Sequence, residues 1–190
     1  MMSLVLFTML LMSPFSRPQP DGVGGFLDAQ EDEGSIDPGG WQQAKWGMGE
    51  EGLLRVFKGQ AVRLEGVIPL PQRKFIDVGT AEIGIPELVI GQSGYRVLFL
   101  IDRKSGLYRV MIQPIQSQET HQVQFDDLLG RLVQKYGPPF RSDASDRSLI
   151  SLTAQWTFPR TIIRLTYVES RTIKFRSLGL AYSLRSSEPL

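Results

Sequence analysis

The chain has 190 residues, of which 42% are hydrophobic, and its formal net charge is +1. This length is enough for one well-cored domain or two small ones, and the near-neutral charge argues against a protein that binds polyanions with its whole surface. The absence of cysteine excludes disulfides, thiolate nucleophiles, cysteine-based zinc sites and a lipid-modified N-terminal cysteine.

The N-terminus carries an apolar run of nine residues, LVLFTMLLM at 4–12, followed by Ser13, Pro14 and Ser16. A run of this length suits the hydrophobic region of a secretory signal and is too short to cross a bilayer as a helix. We therefore predict a signal peptide at residues 1–16 and a periplasmic or secreted protein. No Lys or Arg precedes the run, so a cytoplasmic protein with a hydrophobic N-terminus is the alternative.

Residues 17–40 are rich in Gly, Pro, Asp and Glu and show no apolar period. A segment of this composition cannot bury enough apolar surface to fold, so it is predicted to be a disordered acidic linker. A single folded domain is expected to follow over residues 41–186.

A short helix is predicted to open this domain after Gly49, which suits an N-cap position. Glu50 and Glu51 would then lie in the first turn, where the helix dipole favours negative charge. Leu53 and Phe57 recur at helical spacing and would face inward.

The stretch from 61 to 112 has β character. Prolines at 69, 71 and 86 indicate that strands before residue 92 are short or at an edge, with Val62–Val67 and Leu88–Ile90 as candidates. Tyr95–Ile101 and Leu107–Ile112 are apolar runs joined by DRKSG, which predicts a hairpin. Tyr108 is expected to share one face of the second strand with residues 110 and 112, with Arg109 on the other face.

The strongest helical pattern is VQFDDLLGRLVQKYGPP at 123–139. Its apolar residues from Phe125 to Tyr136 recur with the spacing of one buried helical face. Gly137 suits the left-handed residue that ends a helix, and the two prolines after it prevent continuation.

After this helix, Arg141–Ser148 is predicted to be a polar loop, and three strands are predicted at Thr153–Phe158, Thr161–Val168 and Ile173–Leu184. In the last strand the apolar residues at 173 and 175 alternate out of phase with those at 178, 180 and 182. Such a change of parity predicts a β-bulge or a twist near residues 177–179.

The order helix, strands, helix, strands predicts an α+β fold, an antiparallel sheet with two helices packed on one face. Each half has a short amphipathic helix, then a glycine, then antiparallel strands, which hints at internal repetition. The two halves share too few residues for a repeat to be assigned from the sequence.

Residues for catalysis are scarce. His121 is the one histidine, and it lies near the N-terminus of the main helix, where the dipole disfavours protonation. No G-x-S-x-G motif accompanies a serine, and the adjacent Asp126 and Asp127 point in different directions on a helix.

The glycines at 22–25 lack the preceding strand of a dinucleotide fingerprint, and no residues have metal-ligand spacing. The sequence therefore predicts a protein that is not an enzyme and has no cofactor or metal site.

The feature that suggests a binding partner is a set of basic residues near the C-terminus. On the predicted strands they would form a stripe on the solvent side of the sheet, suited to anionic lipid headgroups, an acidic protein surface or nucleic acid. The alternative is that they only keep the outer face soluble and discourage edge aggregation. The candidate binding residues are Arg160, Arg164, Arg171, Lys174 and Arg176.

Two segments resemble known proteins. WGMGEEGLLRVF resembles a WGM-S/T-x-E-E-V helix start, and LLGRLVQKYGPP followed by Trp156 resembles an L-x-x-L-x-x-KYG-x-P…W signature. Both occur in uncharacterised bacterial exported proteins, and the likeness covers about residues 41–184, with Gly49 where Ser or Thr is usual. The G-M-x-x-E helix start is also distantly similar to the small lipoprotein of the outer-membrane barrel-assembly machinery, whose lipid-attachment cysteine this chain lacks. The resemblance implies an exported domain and carries over no catalytic residue.

These observations together predict a non-enzymatic, exported binding or scaffolding domain of the cell envelope, with an envelope protein as its expected partner. The first alternative is an anion-binding module that uses the basic C-terminal strands, with anionic lipid or nucleic acid as its ligand. The less favoured alternative is a hydrolase built on His121.

Overall fold

A computed structural model describes residues 36–65, 81–115 and 121–185. The predicted signal peptide, most of the predicted linker and the end of the candidate strand Val62–Val67 lie outside the described residues. The described residues belong to one compact unit, Ser35–Leu190. In these ranges, no helix combines the length and the apolar character needed to span a bilayer.

The described residues form ten strands and two helices. In chain order the elements are β1 (Gly40–Trp41), β2 (Ala44–Lys45), α1 (Glu50–Val56), β3 (Val62–Arg63), β4 (Ala81–Ile90), β5 (Ser93–Asp102), β6 (Gly106–Pro114), α2 (His121–Tyr136), β7 (Phe140–Ser145), β8 (Leu149–Thr157), β9 (Thr161–Ser170) and β10 (Phe175–Leu184).

Eight of the described strands form one antiparallel sheet, in the order β3-β4-β5-β6-β10-β9-β8-β7, and β1 and β2 form a separate two-stranded ladder. Two meanders, β3–β6 and β7–β10, therefore meet where β6 pairs with β10, and a helix precedes each meander.

The predicted α+β class is wrong, although the antiparallel sheet is present. The described residues contain ten strands and two helices, and with 18% helix the fold is predominantly β. The sequence reading underestimated the strands because β1, β2 and β7 have no apolar alternation and because the prolines made β4 look short.

The main core lies between the two helices and one face of the sheet. Phe57, which follows α1, stacks on Trp41 and on Phe99 at centroid distances of 5.7 and 5.4 Å. Phe125 of α2 packs against Tyr167 of β9 at 6.4 Å. We call the side of the sheet that packs against the two helices the helix face, and the opposite side the far face.

A smaller apolar cluster covers the first meander on the far face and includes Leu98 and Leu100 of β5. The register of β5 and β6 shifts after Leu100, which pairs with Arg109, while the next residue pairs with Leu107. Tyr108 is the extra residue of this bulge and packs against the smaller cluster. The prediction that Tyr108 shares a face with residues 110 and 112 is therefore wrong.

Two strands differ from their predicted form. β4 is ten residues long and lies inside the sheet, and a register shift between Ile85 and Leu88 surrounds Pro86, which lacks a ladder donor. β7 occupies most of the predicted polar loop, and all six of its residues are exposed. It pairs with β8 as the outer strand of the described sheet.

The end of α2 agrees with its prediction and shows what the KYG…W residues do. Gly137 follows the helix with φ of +77°, and its N–H donates to the Val133 carbonyl at 2.9 Å. Trp156 Nε1 donates to the Gly137 carbonyl at 2.8 Å, and Tyr136 meets Phe158 edge to face at 5.6 Å. These contacts attach the end of the helix to β8 and to the residue that follows it.

Asp37, which the sequence assigned to the linker, is hydrogen-bonded to the start of β9. Its Oδ1 accepts the Thr161 hydroxyl at 2.6 Å and the Gly39 N–H at 2.8 Å, and its Oδ2 accepts the Arg160 N–H. Trp46 Nε1 donates to the same Thr161 hydroxyl at 2.9 Å. Burial raises the pKa of Asp37, but the hydrogen bonds outweigh it and the pKa lies below its usual value of 3.8.

We expect Asp37→Asn to lower the free energy of unfolding at neutral pH by about 1–2 kcal/mol, because the charged acceptor of three hydrogen bonds is lost. A carboxylate whose pKa is lower in the folded protein stabilises it above its unfolded pKa, and this stabilisation is lost as the pH falls through the folded pKa. Urea unfolding should therefore show a gap between wild type and variant that narrows below about pH 4. A gap of constant size over this range would contradict the assignment.

Two glycines of the α2 region give a matched pair of tests. A Cβ at Gly130 or at Gly137 would meet nothing within 4 Å, but only Gly137 has a positive φ. We expect Gly130→Ala to stabilise the protein by about 0.5–1 kcal/mol, since alanine is the better helix former. Gly137→Ala should destabilise it by about 1–2 kcal/mol because of the left-handed backbone. Thermal unfolding would show shifts of opposite sign, and shifts of equal sign would contradict this account.

Candidate anion-binding site

The structure distributes the five predicted basic residues over three places. Arg160 precedes β9, Arg164 lies within β9, and the other three lie in the β9–β10 turn and at the start of β10. At about 3.3 Å per residue, Arg160 and Arg171 are roughly 35 Å apart along the strand.

The two strand residues of the set lie on opposite faces of the sheet. Arg164 pairs with Ala181 on the far face and donates to Gln155 Oε1 at 3.1 and 2.9 Å. Arg176 pairs with Glu169 and alternates in phase with Leu178, which is buried on the helix face. The five side chains therefore do not form one stripe.

Three of the predicted residues do come together at the β9–β10 hairpin. Arg171, Lys174 and Arg176 line a cavity of about 460 Å³ together with Glu169 and Ser170. Three cations and one carboxylate give this cavity a formal charge of +2. Such a group of donors suits an anionic oxygen ligand, because charge-assisted hydrogen bonds from guanidinium and ammonium groups are short and strong. We call this group the hairpin site.

Glu169 is held in the hairpin site from two sides. Its Oε1 accepts from Arg176 at 3.1 Å, and its Oε2 accepts from the hydroxyl of the buried Tyr167. The hydrogen bonds from Tyr167 and Arg176 lower the pKa of Glu169, while burial and the Glu169 hydrogen bond raise the pKa of Tyr167 to about 12. The carboxylate thus stays ionised and forms an ion pair with Arg176.

The remaining two cations are available to a ligand. Within the described ranges, neither Arg171 nor Lys174 forms a side-chain ion pair. Lys174 closes the turn with φ of +49°, and the Arg171 N–H donates to the Ser148 carbonyl at 2.9 Å. That bond ties the start of the β9–β10 turn, at Arg171, to the neighbouring β7–β8 turn.

We expect Tyr167→Phe to raise the pKa of Glu169, because it removes a hydrogen bond to the ionised carboxylate. The side-chain carboxyl carbon signal of Glu169, followed by NMR against pH, would report this change. Tyr182→Phe removes another buried hydroxyl that does not contact Glu169 and is the matched control, for which no change is expected. An unchanged Glu169 pKa in the Tyr167→Phe variant would refute the role given to Tyr167.

Within the described part of the chain, the histidine of the hydrolase alternative lacks a catalytic partner. His121 begins α2, and its buried Nδ1 has no hydrogen-bond partner among the described residues. Asp126 is exposed, and Asp127 pairs with Arg131 on its own helix at 2.9 Å. The ranges described here also contain no group of three or more acidic or histidine side chains arranged to hold a metal.

A second cavity, of about 640 Å³, lies beside the β5–β6 turn. Its lining has mixed charge, with Glu50 and Glu82 near Arg103 and Lys104. Asp102 also lines it but accepts the N–H groups of residues 104 and 105, which close the turn. None of the predicted site residues lies there, and the mixed charge selects no class of ligand.

Sequence reasoning missed the apolar side chains of the hairpin. The β9–β10 register is continuous from Phe175 to Leu184, so of the two predicted alternatives near residues 177–179, a bulge or a twist, the bulge is wrong. The parity changes because the buried face ends at Leu178, whereas Ile173 and Phe175 lie beyond it and are exposed. The change of parity, next to three basic residues, was the signal that could have indicated an exposed tip.

No protein-family model matches this sequence, and no curated protein matches it. Among solved structures, the chain is similar to the crystal structure of a DUF4309 family protein, YjgB, from Bacillus subtilis. The identity is 10% and the TM-score is 0.39, over 80% of this chain and 89% of that chain. A likeness at this level assigns neither a family nor a function.

Proposed function

We propose that this chain is a non-enzymatic binding domain of the cell envelope and that it binds anionic groups at the hairpin site. The observation that carries the proposal is the meeting of Arg171, Lys174 and Arg176 around one cavity that contains a single carboxylate, Glu169. The sequence indicates the same three cations from their positions on the predicted C-terminal strands, which also supports the proposal.

The arrangement suits binding because its parts are already in place. Glu169 holds Arg176 on one side of the cavity, and the bond between Arg171 and Ser148 holds the start of the turn. An anionic oxygen could accept hydrogen bonds from Arg171 and Lys174 at a lower entropic cost than on a mobile segment.

The cell envelope is proposed as the location for two reasons that come from the sequence. The apolar run at 4–12 has the length of a secretory signal. The WGM and KYG…W segments resemble exported proteins. Both reasons concern the cellular location of the protein, and neither depends on the hairpin site.

A protein partner on β7 is the second candidate function. All six residues of β7 are exposed, and among the described strands its outer edge has no neighbour. An unpaired edge can accept an extended segment of another chain through main-chain hydrogen bonds. Arg141 and Asp143 of this strand form an ion pair of 2.7 Å, which places both signs of charge on the edge.

Pyrophosphate is a suitable probe of the hairpin site, because it carries several anionic oxygens and no apolar part. We expect saturable chemical-shift changes at residues 169–176 in an NMR titration of the full chain, weakened by added salt. The double variant Arg171→Gln/Lys174→Gln should weaken the affinity about tenfold or more.

The matched control is Arg103→Gln/Lys104→Gln, which removes two cations from the β5–β6 turn at the other end of the sheet. This variant should bind pyrophosphate as the wild type does. Equal losses in both double variants would mean that only net charge matters, and the proposed site would be rejected.

A further inference from the structure

The β9–β10 turn exposes large apolar side chains beside its cations. Ile173 in the turn is 72% exposed, and Phe175, the first residue of β10, is 48% exposed. Neither belongs to the core clusters of the described residues. Ile173 and Phe175 alternate with Lys174 and Arg176 along the chain, so apolar and basic groups share one short segment.

The apolar surface extends beyond this turn. On the far face, Phe175 pairs with Ser170, and Ser170 pairs with Leu149 of β8, which is 39% exposed. Val89, near the β4–β5 turn at the same end of the sheet, is also exposed. One end of the sheet therefore carries several apolar side chains in water.

The charge at the same end is positive. The turn residue Arg147 adds a fourth cation to the three of the hairpin site. Of the carboxylates at the β7–β8 and β9–β10 turns, Glu169 is paired with Arg176, and Asp146 accepts the N–H groups of Ser148 and Leu149. Both acidic groups are thus engaged with the protein, while most of the cations face solvent.

From this combination we propose that the β9–β10 hairpin docks the domain on a lipid surface with anionic headgroups, with Ile173 and Phe175 entering the interfacial layer. A bilayer interface offers acyl chains and anionic headgroups within a few ångströms of each other, which matches interleaved apolar and basic side chains. A nucleic acid or a free phosphate would use the cations but would leave the isoleucine in water. The inference rests on the proposed function, since the hairpin site supplies the cations.

The test is co-sedimentation of the full chain with vesicles of phosphatidylcholine, alone or with about one third phosphatidylserine. We expect stronger binding to the mixed vesicles, reduced by salt. Ile173→Ser/Phe175→Ser should weaken that binding about tenfold or more, because the apolar contribution is lost. Arg171→Gln/Lys174→Gln should weaken it by a similar factor. All variants keep the same N-terminus, so its apolar run is a constant background.

Two controls make the result specific. Phe140→Ser removes a side chain that is 74% exposed at the far end of β7, and it should leave vesicle binding unchanged. The single variant Ile173→Ser covers the case in which loss of the half-buried Phe175 disturbs the hairpin, and it should also bind the mixed vesicles less tightly than the wild type.

The outcomes separate this inference from the proposed function. If Ile173→Ser/Phe175→Ser binds pyrophosphate and mixed vesicles as the wild type does, docking through apolar residues is refuted and the anion site stands. If pyrophosphate does not bind but the vesicles bind and depend on Ile173 and Phe175, the anion site is refuted and docking is supported. Tighter binding to a DNA duplex than to mixed vesicles, insensitive to the apolar variant, would overturn the lipid assignment.

Discussion

The pairing of β6 with β10 is the interaction on which the rest of the sheet depends. It joins two meanders that are each built from neighbouring segments, and it runs from Leu180 opposite Ile112 to Ser183 opposite Arg109. The pairing of residues so distant in sequence costs much chain entropy, and the local strand preference of each segment cannot offset this cost. The burial of Ile112, Leu180 and Tyr182 on the helix face supplies the compensating free energy, so the core determines the register at the centre.

The register of β10 against its other neighbour, β9, determines where the charges of the hairpin lie. Since side chains alternate along β9 and β10, fixing Leu180 opposite Leu165 places Arg176 opposite Glu169. Tyr167 is buried in the same row as Leu178, and its hydroxyl reaches the Glu169 carboxylate at the edge of the core. The position of the Glu169 carboxylate in the hairpin site thus depends on the buried Tyr167 as well as on the surface residue Arg176.

The sequence predicted well the elements whose signals are local. The period of α2 and the glycine at its end place the helix within a few residues, and the β5–β6 hairpin follows from two apolar runs and a turn. Tyr108 was misplaced because a bulge is decided by the partner strand, and β7 was missed because its residues form a strand only where β8 offers an edge. Likewise, three of the five basic residues met because they flank one turn, whereas the positions of Arg160 and Arg164 depended on strand length and face.

Ile173 and Phe175 are exposed on a hairpin whose strands are paired up to Phe175. The β9–β10 ladder is continuous up to Phe175, and the Arg171 N–H is bonded to the next turn, whose Asp146 caps its own backbone. The β5–β6 turn of the same sheet, by contrast, carries the polar side chains of Arg103, Lys104 and Ser105, the usual composition of a turn. Such an apolar turn contributes little to the stability of the folded chain, because Ile173 is largely exposed and Phe175 is only half-buried. Its apolar side chains gain the free energy of burial only when another surface covers them, and the adjacent cations favour an anionic surface.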